Sequence, residues 1–140
     1  ALIEATVAVQ EYGIPNHRLY HELHKRGAKV TPLPVYRWAL PHDTAPLEAA
    51  IRSIIAGQVQ ILMFTSANQL ANVLTMADRL DCREEFQQAA AAALIASIGP
   101  TCSEALQDHG FPIHFEASPP KMGPLVRGAI EQFRLQTGQK

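Results

Sequence analysis

Two short segments, Phe64–Gln69 and Ile98–Glu104, change from an apolar strand pattern to an amphipathic helix pattern within a few residues. The spacings Ser66-x-x-Gln69 and Thr101-x-x-Glu104 both predict a capping box, in which a hydroxyl and a Gln or Glu side chain bond free N–H groups reciprocally. If both strands belong to one parallel sheet, right-handed crossovers place both helix N-termini on the same carboxyl edge. An edge with free N–H groups and positive dipole ends favours anionic or carbonyl-bearing ligands.

Strand and helix patterns alternate along the whole chain. Strands are predicted at Thr6–Gln10, Lys29–Tyr36, Ile61–Phe64, Ala93–Ile98 and Ile113–Phe115. Helices are predicted from Asn16 to about Arg26, after His42–Thr44, after Ser66, at Glu84–Gln88, from Thr101 to Gly110 and over Leu125–Phe133. The first strand is expected to be buried, and the continuously apolar Ile61–Phe64 to be covered on both faces. This alternation over short loops predicts an α/β fold with a parallel, doubly wound sheet.

A mild boundary is predicted at Trp38–Asp43. Pro32 and Pro34 confine the segment before it to a sheet edge or a connector, because proline cannot donate to a strand ladder. Residues 1–37 supply only a β-α-β unit, which is too little for an independent core. Residues 38–140 supply an α/β lobe of three strands with helices. The first part is therefore expected to complete a sheet whose other strands come from elsewhere.

Composition excludes several classes of function. A chain of 140 residues with 47% hydrophobic and 18% charged residues is typical of one globular domain with a sizeable core. A net charge of −1 argues against a nucleic-acid partner, which needs a basic surface. The longest apolar run, residues 89–98, is too short to span a bilayer. No signal peptide is visible, and the start at Ala1 suggests a fragment.

Cysteine and histidine positions offer candidate reactive or metal sites, each with a simpler interpretation. Cys82 and Cys102 form no metal or redox spacing, which fits reduced thiols in the cytosol. Cys102 follows Thr101 at a helix N-terminus, where a thiolate pKa could fall, but a small packing residue is the favoured interpretation. His17, His21 and His24 share a helix face, yet no carboxylate or cysteine completes a ligand set, so a solvated face is favoured over a metal site.

Four motifs, in this order, resemble the uroporphyrinogen-III synthase family: Val30–Arg37, Phe64–Asn68, Ser97–Leu106 with Gly110 and Pro112, and Pro119–Val126. The resemblance covers roughly residues 5–133. It implies two flavodoxin-like lobes joined by a two-stranded linker, with the substrate between them. Only the later half of that pattern is present. Residues 1–37 would complete one lobe and supply a linker strand, and residues 38–140, with the Thr-Ser-Ala-Asn and Gly-Pro-Thr turns, would form most of the other.

The resemblance also implies a reaction. The family cyclises hydroxymethylbilane, a carboxylate-rich linear tetrapyrrole, and inverts its last ring in tetrapyrrole (haem, sirohaem, cobalamin) biosynthesis, without a cofactor. Because cyclisation also proceeds without enzyme to the unrearranged isomer, the protein mainly orients the chain and assists departure of the hydroxyl. The implied partners are this substrate and the missing N-terminal half of the same enzyme, with no nucleic acid and no membrane, in the cytoplasm.

The resemblance assigns candidate site residues. Tyr36 is the expected catalytic residue, because its phenol could donate to the leaving hydroxyl; its alternative is an anchor of the linker. The expected substrate-binding residues are Thr65, Ser66, Asn68, Thr101, Cys102 and Ser103. For the hydroxyl residues among them, capping of the helices is the simpler role. Gln10 and Glu11 end the first strand at the cleft edge, where the family often has a basic residue. No metal ligand is expected.

Two other functions remain open from the residues. One is a non-catalytic, half-length or fused module that binds tetrapyrroles or other small anions. The other is a flavodoxin-like domain for a phosphate-bearing ligand, which is disfavoured because no Gly-rich or Thr-rich loop follows the first strand. A second pair of similar turns upstream of Ala1 would distinguish the enzyme from both.

Overall fold

The computed structural model describes residues 2–11, 13, 15–35, 37 and 39–138, and the chain divides into two compact units, Ala1–Ala39 and Leu40–Lys140. The sequence places this boundary after residue 37. Every strand pair within the described ranges is parallel. The predicted fold class, a parallel α/β structure, is confirmed.

The first unit is a β-α-β unit. Strand β1 (Thr6–Glu11) pairs in parallel with β2 (Lys29–Pro34), and α1 (His17–Lys25) connects them. Asn16 starts the helix as predicted, because its Oδ1 accepts a hydrogen bond from the Leu19 N–H at 3.0 Å. Gly27 follows the helix with φ +85°, a backbone conformation that favours glycine.

The prediction that β1 is buried is wrong. Its residues alternate between exposed and half-buried, because a two-stranded sheet with one helix has little to cover it. Ala28 is the one buried residue in the described part of this unit. The Tyr20 hydroxyl donates to Glu11 Oε1 at 2.5 Å and so connects α1 with the end of β1. That hydrogen bond raises the pKa of Tyr20 to about 12.

The second unit contains α2 (Ala45–Ile55), β3 (Ile61–Phe64), α3 (Ala67–Arg79), α4 (Arg83–Ala92), β4 (Leu94–Ser97), α5 (Pro100–Asp108), β5 (Phe115–Glu116) and α6 (Met122–Thr137). Its sheet has the order β3-β4-β5. No helix in the described ranges is both long and apolar enough to cross a membrane.

Helices cover both faces of this sheet. One face packs against α2, α3, α4 and α5 around a core that includes Ile51, Leu70, Phe86, Ile95 and Leu106. The other face packs against α6 through Leu94, Ala96, Ala117, Leu125 and Ala129. The successive β4 residues Leu94 and Ile95 belong to different cores, because successive side chains of a strand point to opposite faces.

Several predicted boundaries differ from those of the structure. Helix α4 is twice as long as the segment Glu84–Gln88, because the alanines after it, the best helix formers, continue the helix to Ala92. Strand β5 begins at Phe115 instead of Ile113. Helix α5 begins at Pro100, one residue before the predicted cap Thr101.

Candidate functional site

The candidate site is the carboxyl edge of the three-stranded sheet. Phe64 at the end of β3 lies opposite Ser97 at the end of β4, so the two strands stop side by side. Helix α3 begins three residues beyond Phe64, at Ala67, and α5 begins three residues beyond Ser97, at Pro100. Both helix N-termini therefore start from the same edge, as the sequence predicts for a parallel sheet.

The first turn is closed by the predicted reciprocal bonds. Ser66 is the N-cap of α3, and its Oγ accepts a hydrogen bond from the Gln69 N–H at 3.3 Å. The Gln69 Oε1 in turn accepts from the N–H of Thr65 at 2.8 Å. The side chain thus returns to the residue before the cap, one position earlier than in a standard capping box.

The second turn is built differently, and the expected cap at Thr101 is wrong. The N-cap residue of α5 is Gly99, and no side chain caps this helix. The Gly99 carbonyl accepts the first helical bond from the Ser103 N–H at 3.0 Å. Proline at the first helical position lacks an N–H that would need a partner, and its fixed φ suits a helix, so the start moves ahead of Thr101.

Ser97 fixes the shape of this second turn, a role that sequence reasoning missed. Its Oγ accepts from the Gly99 N–H at 3.3 Å and donates to the Gly99 carbonyl at 3.0 Å. Ser97 is fully buried, and its hydroxyl finds both bonds two residues further along the chain. The spacing Ser-x-Gly directly before a proline was the available signal for this turn.

Pro120, in the loop before α6, lies close to Gly99. A Cβ added at Gly99 would lie 3.0 Å from the Cβ of Pro120, so a larger residue at Gly99 would require a small shift of Pro120. Lys121, the next residue, is the N-cap of α6. A third helix N-terminus therefore begins beside the second.

The electrostatics of the edge favour a negative ligand. None of α3, α5 and α6 has an acidic residue in its first turn. Each helix dipole therefore presents a positive end without a carboxylate from its own first turn to neutralise it. The Thr101 and Cys102 N–H groups precede the first helical bond of α5 and have no partner within that helix.

Cys102 is a packing residue in the structure. It is buried, and its thiol donates to the Phe64 carbonyl over 3.6 Å, which connects the first turn of α5 with the end of β3. Burial raises the pKa of the Cys102 thiol, although hydrogen bonds from Ser97 and the Ile98 main chain oppose that shift. The structure therefore favours the neutral thiol over an activated thiolate.

The other expected site residues differ in exposure. Thr65, Ser66 and Asn68 are half-buried, and Thr101 is exposed. Ser103 is buried, and its Oγ is the buried side-chain polar atom without a hydrogen-bond partner in the described part of the chain. The six expected binding residues thus lie in two neighbouring turns. The expected catalytic residue, Tyr36, lies outside the described residues.

The candidate metal ligands do not form a centre. His17, His21 and His24 are exposed on α1. Among residues 2–11, 13, 15–35, 37 and 39–138, no group of three His, Cys, Asp or Glu side chains could hold a metal ion. The His17 ring instead packs edge-on against Tyr20, with 6.2 Å between the ring centroids.

Comparison with known proteins gives consistent matches. The sequence profile of the family described as uroporphyrinogen-III synthase HemD matches residues 5–127. A protein of Methanothermobacter thermautotrophicus, provisionally named uroporphyrinogen-III synthase, is 33% identical over 88 residues, which are 63% of this chain and 34% of that protein.

Solved structures support the same fold. A crystal structure of uroporphyrinogen III synthase from Thermus thermophilus has a TM-score of 0.66 and 24% identity, covering 96% of this chain and 52% of that one. Another structure of the Thermus thermophilus enzyme has a TM-score of 0.59, also at 24% identity. The chain spans about half the length of these solved structures and about a third of the archaeal protein.

Proposed function

The chain belongs to the uroporphyrinogen-III synthase family, and on that premise we propose that it forms part of a synthase that cyclises hydroxymethylbilane and inverts its last ring. The observation that carries this proposal is the pair of neighbouring helix N-termini at the carboxyl edge of β3 and β4. Ligands of parallel α/β sheets bind outside the carboxyl ends of the strands. A carboxylate-rich tetrapyrrole suits positive dipole ends and main-chain N–H groups.

We assign the substrate carboxylates to the two first turns. In α5, the Thr101 hydroxyl and the main-chain N–H groups of Thr101 and Cys102 bind one carboxylate, while the buried Cys102 thiol holds the turn. In α3, the half-buried side chains of Thr65, Ser66 and Asn68 bind another. The buried Ser103 hydroxyl, which has no hydrogen-bond partner in the described chain, is the remaining substrate-binding group that we assign.

The proton for the leaving hydroxyl is assigned to Tyr36. A phenol with an ordinary pKa of about 10 stays protonated at neutral pH and can donate a hydrogen bond. Loss of the hydroxyl leaves a reactive azafulvene, whose ring closure needs mainly the correct orientation of the chain. This mechanism requires neither a cofactor nor a metal.

The test is the isomer formed from hydroxymethylbilane. We expect no excess of the type III isomer with the 140-residue chain alone, and type III formation once the remaining half of the synthase is supplied. Turnover by a monomer of this chain would contradict the need for another half. Tetrapyrrole binding without type III formation, with both halves present, would instead favour the non-catalytic binding module.

A further inference from the structure

A glutamate and a tyrosine are joined by a short hydrogen bond at the carboxyl edge of the first unit. Glu11 is the last residue of β1, and Tyr20 belongs to α1, the helix that follows. The Tyr20 hydroxyl donates to Glu11 Oε1 at 2.5 Å, a length typical of a charge-assisted bond to a carboxylate. Ligands of parallel α/β sheets bind outside the carboxyl ends of the strands, so this carboxylate lies where a ligand is expected.

The Glu11 carboxylate is half-buried, and little compensates its charge. In the described part of the chain, Tyr20 is the one side chain that bonds it, and no cationic side chain forms an ion pair with it. Pro34, which lies opposite Glu11 on β2, has no N–H to donate. Because partial burial of a carboxylate costs free energy unless donors compensate it, Glu11 Oε2 is left as an acceptor that a ligand can use.

Helix capping does not account for this pair. Asn16 caps α1, because its Oδ1 accepts a hydrogen bond from the Leu19 N–H at 3.0 Å. Glu11 instead bonds a side-chain hydroxyl, so the bond orients the carboxylate. That bond raises the pKa of Tyr20 to about 12, so the phenol keeps its proton at neutral pH and the carboxylate remains an acceptor.

We propose that the Glu11 carboxylate accepts hydrogen bonds from pyrrole N–H groups of the linear tetrapyrrole, and that Tyr20 is the positioning residue that orients it. This inference rests on the proposed function, because it takes the substrate from there. A carboxylate whose partner is neutral favours N–H donors, and bonds from such donors to a charged acceptor are stronger than bonds between neutral groups.

The charge of Glu11 also selects which part of the substrate approaches β1. A carboxylate repels the acidic side chains of the tetrapyrrole, so the ring nitrogens face it instead. The first turns of α3 and α5 carry no acidic residue and suit the substrate carboxylates, whereas the edge of β1 presents an acceptor. Glu11 is therefore a specificity-determining residue for the orientation of the pyrrole rings.

Binding of an unreactive bilane tests the proposal without any turnover. The probe is a methylbilane, in which a methyl group replaces the hydroxymethyl group, so it cannot cyclise. The second probe is its N-methylated form, whose ring nitrogens carry methyl groups and cannot donate. Both are titrated into the complete synthase by calorimetry. Equal affinity of the unsubstituted protein for the two bilanes would overturn the proposal without the need for any variant.

The variant Glu11→Gln tests the carboxylate directly. We expect it to reduce the preference for the N–H bilane over the N-methylated bilane about tenfold or more, because a charged acceptor is lost. The matched control is Glu22→Gln, which removes the same charge from a glutamate that pairs with Lys25 and Arg26 on α1. The control should change the preference by less than about twofold. An unchanged preference in folded Glu11→Gln protein would overturn the proposal.

The variant Tyr20→Phe tests the positioning role. It keeps the carboxylate but releases its direction, so we expect the same preference to fall about threefold. The double variant should fall no further than Glu11→Gln alone, because both act through one bond. A hydrogen bond that served only the fold would lower the melting temperature and leave the preference unchanged, and that result would overturn the proposal. Loss of the preference in a protein that never forms the type III isomer would sustain this inference and refute the proposed reaction, so the two can fail separately.

Discussion

The imidazole Nδ1 of His114 accepts a hydrogen bond from the main-chain N–H of Ile95 at 2.9 Å. The His114 main-chain N–H donates in turn to the Ile95 carbonyl at 2.9 Å. His114 thus satisfies both polar groups of a fully buried strand residue. Because the Nδ1 lone pair accepts, the proton of the neutral ring is on Nε2.

Removal of this imidazole should destabilise the second unit. His114→Ala leaves the Ile95 N–H buried without its acceptor, which costs about 1–3 kcal/mol. The matched control is His42→Ala, the same change at an exposed loop position. Urea unfolding measures both, and equal stability of the two variants would show that the side-chain bond contributes nothing.

Replacement by alanine should have opposite effects on stability at two glycines of α6. A Cβ at Gly128 would lie 2.0 Å from the Phe115 ring, whereas at Gly123 the nearest atom, on Arg127, is 4.0 Å away. Gly123→Ala should be neutral or stabilise by up to about 1 kcal/mol. Gly128→Ala should destabilise by about 1–3 kcal/mol, because the clash outweighs the helix preference. Melting temperatures check the order, and a Phe115→Leu background should reduce the cost at Gly128.

Alanine variants of Ser66 and Thr101 should distinguish helix capping from substrate binding. Ser66→Ala should cost about 1 kcal/mol, because Ser66 is a true N-cap. Thr101→Ala, at an exposed position within the helix, should stay within about 0.5 kcal/mol. If Thr101 binds a substrate carboxylate, its alanine variant raises KM at unchanged stability. An unchanged KM in an active preparation would remove Thr101 from the proposed site.

Tyr36→Phe should lower kcat about tenfold to a hundredfold in the complete synthase, the lower end of general-acid contributions. The substitution retains the aromatic ring, so we expect the melting temperature to change little. Tyr20→Phe is the comparison, because it removes a phenol that donates to Glu11 and should raise KM rather than lower kcat. Normal turnover by the Tyr36 variant would mean that catalysis depends on orientation of the substrate alone.

Cys102 should react slowly with iodoacetamide near neutral pH. Burial raises the pKa of its thiol, so the reactive thiolate is scarce, whereas Cys82 is half-buried. Because the folded pKa is raised, this thiol stabilises the fold below the unfolded value of about 8.5 and loses that contribution as pH rises above it. Mass spectrometry of the labelled chain measures both rates, and equal rates would contradict an inert Cys102.

Most of the local structure follows from sequence patterns. The alternation of apolar periods predicted the parallel α/β fold, and Asn16, Ser66 and Gly27 marked helix ends correctly. These signals are local, because a cap or a glycine turn depends on groups within about four residues. The same reasoning failed at Thr101, where the proline before it competes for the start of the helix.

The contacts that shape the edge of the sheet depend on the tertiary structure. The His114 bond to Ile95 joins residues 19 apart, and the Cys102 bond to Phe64 joins residues 38 apart. A hydroxyl, thiol or imidazole can bond many partners, so sequence cannot select one before the strands are placed. The position of β3 at the end of the described sheet has the same cause. An apolar run predicts burial, but the neighbour that buries it is a property of the assembled sheet.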